Sequence, residues 1–227
     1  MIKIVVFDLD GTLTQFNLKY RTVRKEVRRY LISRQIPPQI LTLNESIFKM
    51  LEKVEIFLEN QGEPRRLVEE IRSEALAIVE KFEWEAAKTT EVLPDVLETL
   101  KELKEGGMKV GLFTINGEKS VNHILRRFNL KDFFDAVTPR NHVKCVKPNR
   151  EHLEATLKEL GADPKETVVV GDTGSDMECA EKMGAIAVGL PTGISSIDRL
   201  IACGAQYVIT EIKDLIVLIE EIQRIKG

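Results

Sequence analysis

Cysteine, histidine and tryptophan are scarce in this chain: its 227 residues hold three, three and one. Cys145, Cys179 and Cys203 lie far apart with no C-x-x-C spacing. That argues against a disulfide framework or a structural zinc site and favours a reducing, cytoplasmic setting. Cys145 reads as a small buried hydrophobe. His123, His142 and His152 show no metal-ligand spacing and read as surface or helix-packing residues. An excess of one charge is also missing. The formal net charge is -3, so the overall field recommends neither nucleic acid nor a membrane as a partner. No apolar run approaches the roughly 20 residues of a spanning helix. The opening Met1-Ile2-Lys3 is too short and too early charged for a signal peptide. What remains is a globular mixture, 43% hydrophobic and 30% charged, able to bury one domain plus an insertion and expected as a monomer or homodimer.

Ile2 to Phe7 is a nearly unbroken β-branched and aromatic run ending at Asp8, the pattern of a strand buried on both faces of a parallel sheet. From Leu18 to about Lys88 the pattern turns helical: Val23, Val27, Tyr30 and Leu31 recur at helix spacing, as do Ile47, Met50, Leu51 and Val54. Pro37-Pro38 separates the first helix from the second, and Glu63-Pro64 opens a third. After Pro94 strands and helices alternate. Strands are expected at Lys109 to Thr114, Asp135 to Val137, Thr167 to Gly171, Ala185 to Gly189 and Tyr207 to Thr210. Helices are expected near Asp95 to Lys104, Glu118 to Phe128, Arg150 to Leu160, Ser175 to Met183 and Ile212 to Ile225. The expected fold is α/β: a doubly wound parallel, Rossmann-like core from residues 1-15 and 89-227, with an all-helical cap, 16-88, inserted after the first strand.

In open α/β sheets ligands bind beyond the carboxyl ends of the strands, where four polar clusters fall here. They are Asp8-Leu9-Asp10-Gly11-Thr12-Leu13, Thr114, Lys147-Pro148, and Gly171-Asp172-Thr173-Gly174-Ser175-Asp176. Gathering Asp8, Asp10, Asp172 and Asp176 is unfavourable alone, since two like charges at 4 Å repel by about 4 kcal/mol at an effective dielectric of 20. A cation must offset this. An all-oxygen set with positions left for water and phosphate suits Mg²⁺, and Lys147 would share in neutralising a bound phosphate.

These clusters, in this order, resemble the four motifs of the haloacid dehalogenase superfamily, whose phosphatase members form an aspartyl-phosphate. Lys147-Pro148-Asn149-Arg150, Gly171 to Ala180, Gly184-Ala185 through Gly193, and Gly204 to Ile209 resemble its phosphoglycolate phosphatase-like branch. The resemblance implies a phosphoric monoester hydrolase acting on a small phosphorylated metabolite. Asp8 is then the nucleophile and a metal ligand. Asp10 is the general acid and base, lending its main-chain carbonyl to the metal. Thr114 and the N–H groups of Ile115, Asn116 and Gly117 hold phosphate oxygens, and Lys147 stabilises charge. Asp172 ligates Mg²⁺ directly; Asp176 acts through water, orients Lys147, or is simply a first-turn helix carboxylate. In the family an Asn commonly follows the Thr directly, whereas Ile115 intervenes here, which leaves the side-chain contact of Asn116 open. Thr14-Gln15-Phe16 likewise replaces a frequent Asp-Ser; both departures bear on specificity.

Other readings share these motifs. A β-phosphoglucomutase-type transferase would use the same carboxylates, a 2-haloacid dehalogenase would need no phosphate-neutralising metal, and a non-catalytic phosphate-binding protein would keep the fold alone. Arg21, Arg24, Arg28 and Arg29 form a basic stripe on the first cap helix, a solvated face or a recogniser of a substrate carboxylate or second phosphate. Cap opening would hinge at Thr14 to Asn17 and Lys88 to Glu91.

Overall fold

The computed structural model describes residues 1–226. The chain divides into two compact units, Met1–Asn17 with Ala87–Gly227, and Leu18–Ala86. The first begins with β1 (Ile4–Phe7). The second holds α1 (Tyr20–Ser33), α2 (Ile47–Asn60) and most of α3 (Arg65–Thr89). The first then continues through α4 (Val96–Glu105), β2 (Lys109–Thr114), α5 (Glu118–Arg127), β3 (Ala136–Pro139), α6 (Arg150–Leu160), β4 (Thr167–Gly171), α7 (Gly174–Met183), β5 (Ile186–Gly189), α8 (Ile197–Ala202), β6 (Tyr207–Val208) and α9 (Asp214–Lys226).

The strands form one sheet in the order β3-β2-β1-β4-β5-β6, parallel at every pairing, so the fold is α/β and Rossmann-like. Successive side chains point to opposite faces. Val5, Phe7, Val110, Leu112, Val168 and Val170 pack in one core with Leu100, Ile124 and Ile219. Ile4, Val6, Phe113, Val169 and Ala187 pack in the other with Leu153, Leu157 and Met177. Two buried faces explain the unbroken apolar runs, and each fully buried Val, Leu or Phe contributes roughly 1.5–3 kcal/mol. The central strand β1 is held at Val6 by Gly111 on one side and Val169 on the other, which places its last residue, Phe7, in mid-sheet.

Several boundaries differ from the sequence expectation. β3 starts at Ala136 because the carboxylate of Asp135 accepts the N–H of Val110, and it ends on Pro139, tolerated at a sheet edge where no ladder N–H is needed. β6 shrinks to two residues. Helix α8 was not expected: its six residues are too few to show periodicity, and its marker is the Ser196 N-cap, whose hydroxyl accepts the N–H of Arg199. Cys145 is half-buried rather than buried.

The helical unit has its own core of Val23, Val27, Leu31, Ile47, Met50, Leu51, Val54, Ile71, Ala75 and Val79. Ser46 caps α2 by accepting the N–H of Lys49. The basic stripe on α1 is not a uniformly solvated face. Arg24 donates to the Leu43 carbonyl and stacks on Tyr20, and Arg28 donates to the Leu41 carbonyl, tying the α1–α2 connection to the helix.

Candidate active site

Asp8 is the first residue past β1. Behind it the chain closes a tight turn in which the Leu9 carbonyl accepts the N–H groups of Leu13 at 2.8 Å and Thr14 at 3.0 Å. This turn returns Asp10 toward β2. Thr114 is the last residue of β2, Lys147 precedes α6 across a cis peptide to Pro148, and Asp172 is the first residue past β4. A parallel sheet brings all these strand ends to one edge. The sequence clusters therefore meet there, although more than 100 residues separate some of them along the chain.

At the centre stands Lys147. Its Nζ donates to Asp8 Oδ1 at 2.7 Å, to Asp176 Oδ1 at 2.6 Å and to the Phe113 carbonyl at 3.2 Å, and sits 4.1 Å from the Phe113 ring centroid. Burial would depress this ammonium, but Asp176 and Asp8 overcome that and hold its pKa above the ordinary value. Burial pushes the Asp8 carboxyl up to about 7 against the pull of Lys147, with Asp176 adding to the rise. Asp172, fully buried, is raised well above its ordinary value by burial and then by Asp8 and Asp176. Its Oδ2 accepts the N–H of Ile194 at 2.9 Å, and it rests on two glycines. A Cβ on Gly11, whose φ is +83°, would lie 2.5 Å from that oxygen, and one on Gly193 would overlap it.

Asp8, Asp172 and Asp176 bring carboxylate oxygens within 4.8 Å of one another. The Asp10 carboxylate is not in this group. Its oxygens accept the Asn116 amide at 2.8 Å and the Thr14 hydroxyl at 3.2 Å; burial raises its pKa, and these two donors oppose the rise. Asp176 has both oxygens engaged, Oδ1 with Lys147 and Oδ2 with the N–H and hydroxyl of Thr173 in a capping box at the start of α7. Thr114 turns its hydroxyl to the N–H of Asn116 at 3.2 Å. Ile115 is half-buried, with its carbonyl accepting from Arg140, and Gly117 is the N-cap of α5.

Sequence reasoning missed three features here: the contact of Asn116 with Asp10, the turning of fully buried Thr14 into the same carboxylate, and the placing of His152 directly under Lys147. None has a sequence signal of its own. Thr14 and Asn116 stood only as departures from a motif, and His152 lies on the apolar stripe of α6 with Leu153, Thr156, Leu157 and Leu160.

The fold and the site define a Rossmann-like α/β enzyme whose strand ends gather acids around one buried lysine. The family described as haloacid dehalogenase-like hydrolase matches residues 5–190, and the chain belongs to that family. Among curated relatives, the pyrophosphatase PpaX of Bacillus mycoides is 29% identical over 224 residues, spanning 97% of this chain and 98% of the relative. PpaX of Bacillus velezensis is 33% identical over 121 residues, 53% of this chain and 56% of the relative. A solved hydrolase from Pseudomonas syringae superposes with a TM-score of 0.69 at 25% identity, covering 97% of this chain and 99% of that one.

Proposed function

We propose that this chain is a Mg²⁺-dependent phosphatase that cleaves a small phosphomonoester through an aspartyl-phosphate on Asp8. The observation that carries the reading is the buried Lys147 ammonium shared by Asp8 and Asp176 beside a further carboxylate, Asp172. In this site three buried carboxylates face one ammonium. Burial first, and the neighbouring carboxylates after it, raise the pKa of Asp8 to about 7 and that of Asp172 well above its ordinary value. An all-oxygen donor set short of positive charge fits Mg²⁺. Asp8, Asp172 and the Asp10 main-chain carbonyl would hold it, and when bound it supplies charge that offsets these carboxylates and the phosphoryl oxygens. Asp176, with both oxygens engaged, serves better as the orienter of Lys147 than as a direct ligand.

The chain's own residues account for the remaining steps. A carboxylate oxygen of Asp8 attacks phosphorus as the ester P–O bond breaks, and Asp10 donates a proton to the departing oxygen. Asp10 then takes a proton from water, which attacks the aspartyl-phosphate and returns Asp8 and free phosphate. The amide and hydroxyl donated to Asp10 keep its carboxylate aimed between these tasks. Thr114 and the N–H groups that follow it bind phosphoryl oxygens, and Lys147 balances the charge that develops. The three cysteines, far apart in the chain and without C-x-x-C spacing, support a reducing cytoplasm.

Phosphoglycolate, from the motif resemblance, is the first ester to test. Inorganic pyrophosphate is the second reading, favoured by the full-length likeness to proteins named pyrophosphatase; there the departing group is phosphate itself. A panel of phosphorylated metabolites and pyrophosphate, assayed with Mg²⁺ for released phosphate, tests both. Full turnover in EDTA, or an Asp8→Asn variant as active as the parent, overturns the reading. Formation of an isomerised sugar phosphate without free phosphate would favour a mutase.

A further inference from the structure

We propose that His152 is a positioning residue for Lys147, holding the lysine's main chain through one ring nitrogen while the other anchors it to β3. The proposal rests on the phosphatase reading for the role of Lys147, but not for the geometry. His152 lies in the first turn of α6 and is fully buried. Its Nδ1 accepts the main-chain N–H of Lys147 at 3.3 Å, and its Nε2 lies 3.0 Å from the Thr138 carbonyl on β3. A carbonyl only accepts, so Nε2 carries the proton, and Nδ1 is left with the lone pair that the Lys147 N–H requires. The two contacts specify one neutral tautomer.

The placement has a physical reason. Lys147 stands just before Asn149, the N-cap of α6, so its N–H lies outside the helix and has no ladder to join. A buried N–H without an acceptor is unfavourable, and the imidazole supplies one. The ring also meets Phe113 edge-on, with centroids 5.6 Å apart and planes at 61°. Phe113 in turn offers both its carbonyl and its ring face to the Lys147 ammonium. His152 therefore touches Lys147 at the main chain and supports the residue beneath its charged end. Thr156 completes the brace: its hydroxyl bonds the Thr138 hydroxyl at 2.9 Å and the His152 carbonyl at 3.1 Å, locking α6 to β3. Burial lowers the His152 pKa to about 4, with Lys147 adding to the fall, so the ring is neutral at neutral pH, as the bonding requires.

The test compares three variants with the parent protein. His152→Leu removes both bonds, His152→Gln keeps a donor toward Thr138, and His152→Asn keeps an acceptor toward the Lys147 N–H. With Mg²⁺ and whichever substrate the parent hydrolyses, Leu and Gln are expected to lower kcat by about 10- to 100-fold with KM nearly unchanged, and Asn to stay within about threefold of the parent. A packing role would order the three by thermal midpoint instead, and kcat following that order overturns the proposal. So does parental kcat in His152→Leu. Independently of activity, ¹⁵N NMR of the parent should show Nδ1 unprotonated and Nε2 protonated; the opposite tautomer overturns the proposal. If the parent releases no phosphate from any substrate while the NMR signature holds, the phosphatase reading fails and the positioning of Lys147 stands.

Discussion

The Nζ of Lys147 lies 2.7 Å from Oδ1 of Asp8, a residue 139 positions away along the chain. Asp176 shares the same ammonium, and the lysine side chain is only 2% exposed. One cation therefore serves two carboxylates away from water, where attraction and repulsion are both stronger than at the surface. Asp172, adjoining the pair, has no ammonium of its own among the hydrogen bonds described; its Oδ2 accepts the Ile194 N–H at 2.9 Å, and the Thr12 hydroxyl stands 3.5 Å from its Oδ1.

Replacing Asp8 by Asn should reduce phosphate release by roughly a thousandfold or more, because the amide is a poor nucleophile in an otherwise intact site. The thermal midpoint should not fall, since a negative charge leaves a crowded anionic pocket and the amide oxygen still accepts from Lys147. Steady-state assays and thermal unfolding check both halves; a loss of tenfold or less would place the nucleophile elsewhere.

Lys147→Met leaves Asp8 and Asp176 buried without their shared cation. Breaking a buried pair from one side destabilises by about 3–5 kcal/mol. Denaturant unfolding at neutral pH measures the loss, and Mg²⁺ should restore part of it.

Mg²⁺ should raise the thermal midpoint of the parent protein, with about 2.7 kcal/mol of added stability at a hundred times the dissociation constant. Asp172→Ala should abolish that response. An unchanged Mg²⁺ dependence in the variant would exclude Asp172 from the metal site.

Gly193→Ala sets a methyl against Oδ2 of Asp172 and must move either the loop or the carboxylate. We expect a loss of about 10- to 100-fold in Mg²⁺ affinity or turnover, with the sheet intact by circular dichroism. An alanine variant with parental Mg²⁺ affinity would show that the loop yields freely.

The neutral His152 gives a pH signature. Its pKa falls from 6.5 in the unfolded chain to about 4 in the folded protein, because burial and then Lys147 disfavour the imidazolium, against the Thr138 carbonyl, Asp176 and Glu151. Between these values the unfolded chain binds more protons, so stability is lost as the pH falls from about 6.5 to 4. The loss is on the order of 3 kcal/mol. Unfolding curves of the parent and His152→Asn across that range should diverge toward acid, the parent losing more; parallel curves would contradict the assigned neutral state.

Much of the core was legible in the sequence for one reason. Ile4–Phe7 and Thr167–Gly171 are buried on both faces, and burial on both faces leaves an unbroken apolar run. Edges write weaker signals: β6 has two residues, β3 ends in proline, and α8 is barely more than a turn. The candidate site was legible in part from where strands end: Asp8, Thr114 and Asp172 stand at ends that the chain direction through a parallel sheet sends to one edge. Asp10, Lys147 and Asp176 lie further along the chain and were named through the resemblance of their motifs.

Sequence alone thus determined the alternation of strands and helices, the run of helices after β1 and the stock of charged groups near the strand ends, since these follow from local periodicity and chain direction. Tertiary structure decided which group faces which: Asn116 and Thr14 toward Asp10, Asp176 toward both Lys147 and its own helix cap, His152 beneath the lysine. Those pairings depend on strand register, helix rotation and side-chain direction, quantities set by packing across the whole molecule and written in no local stretch of residues.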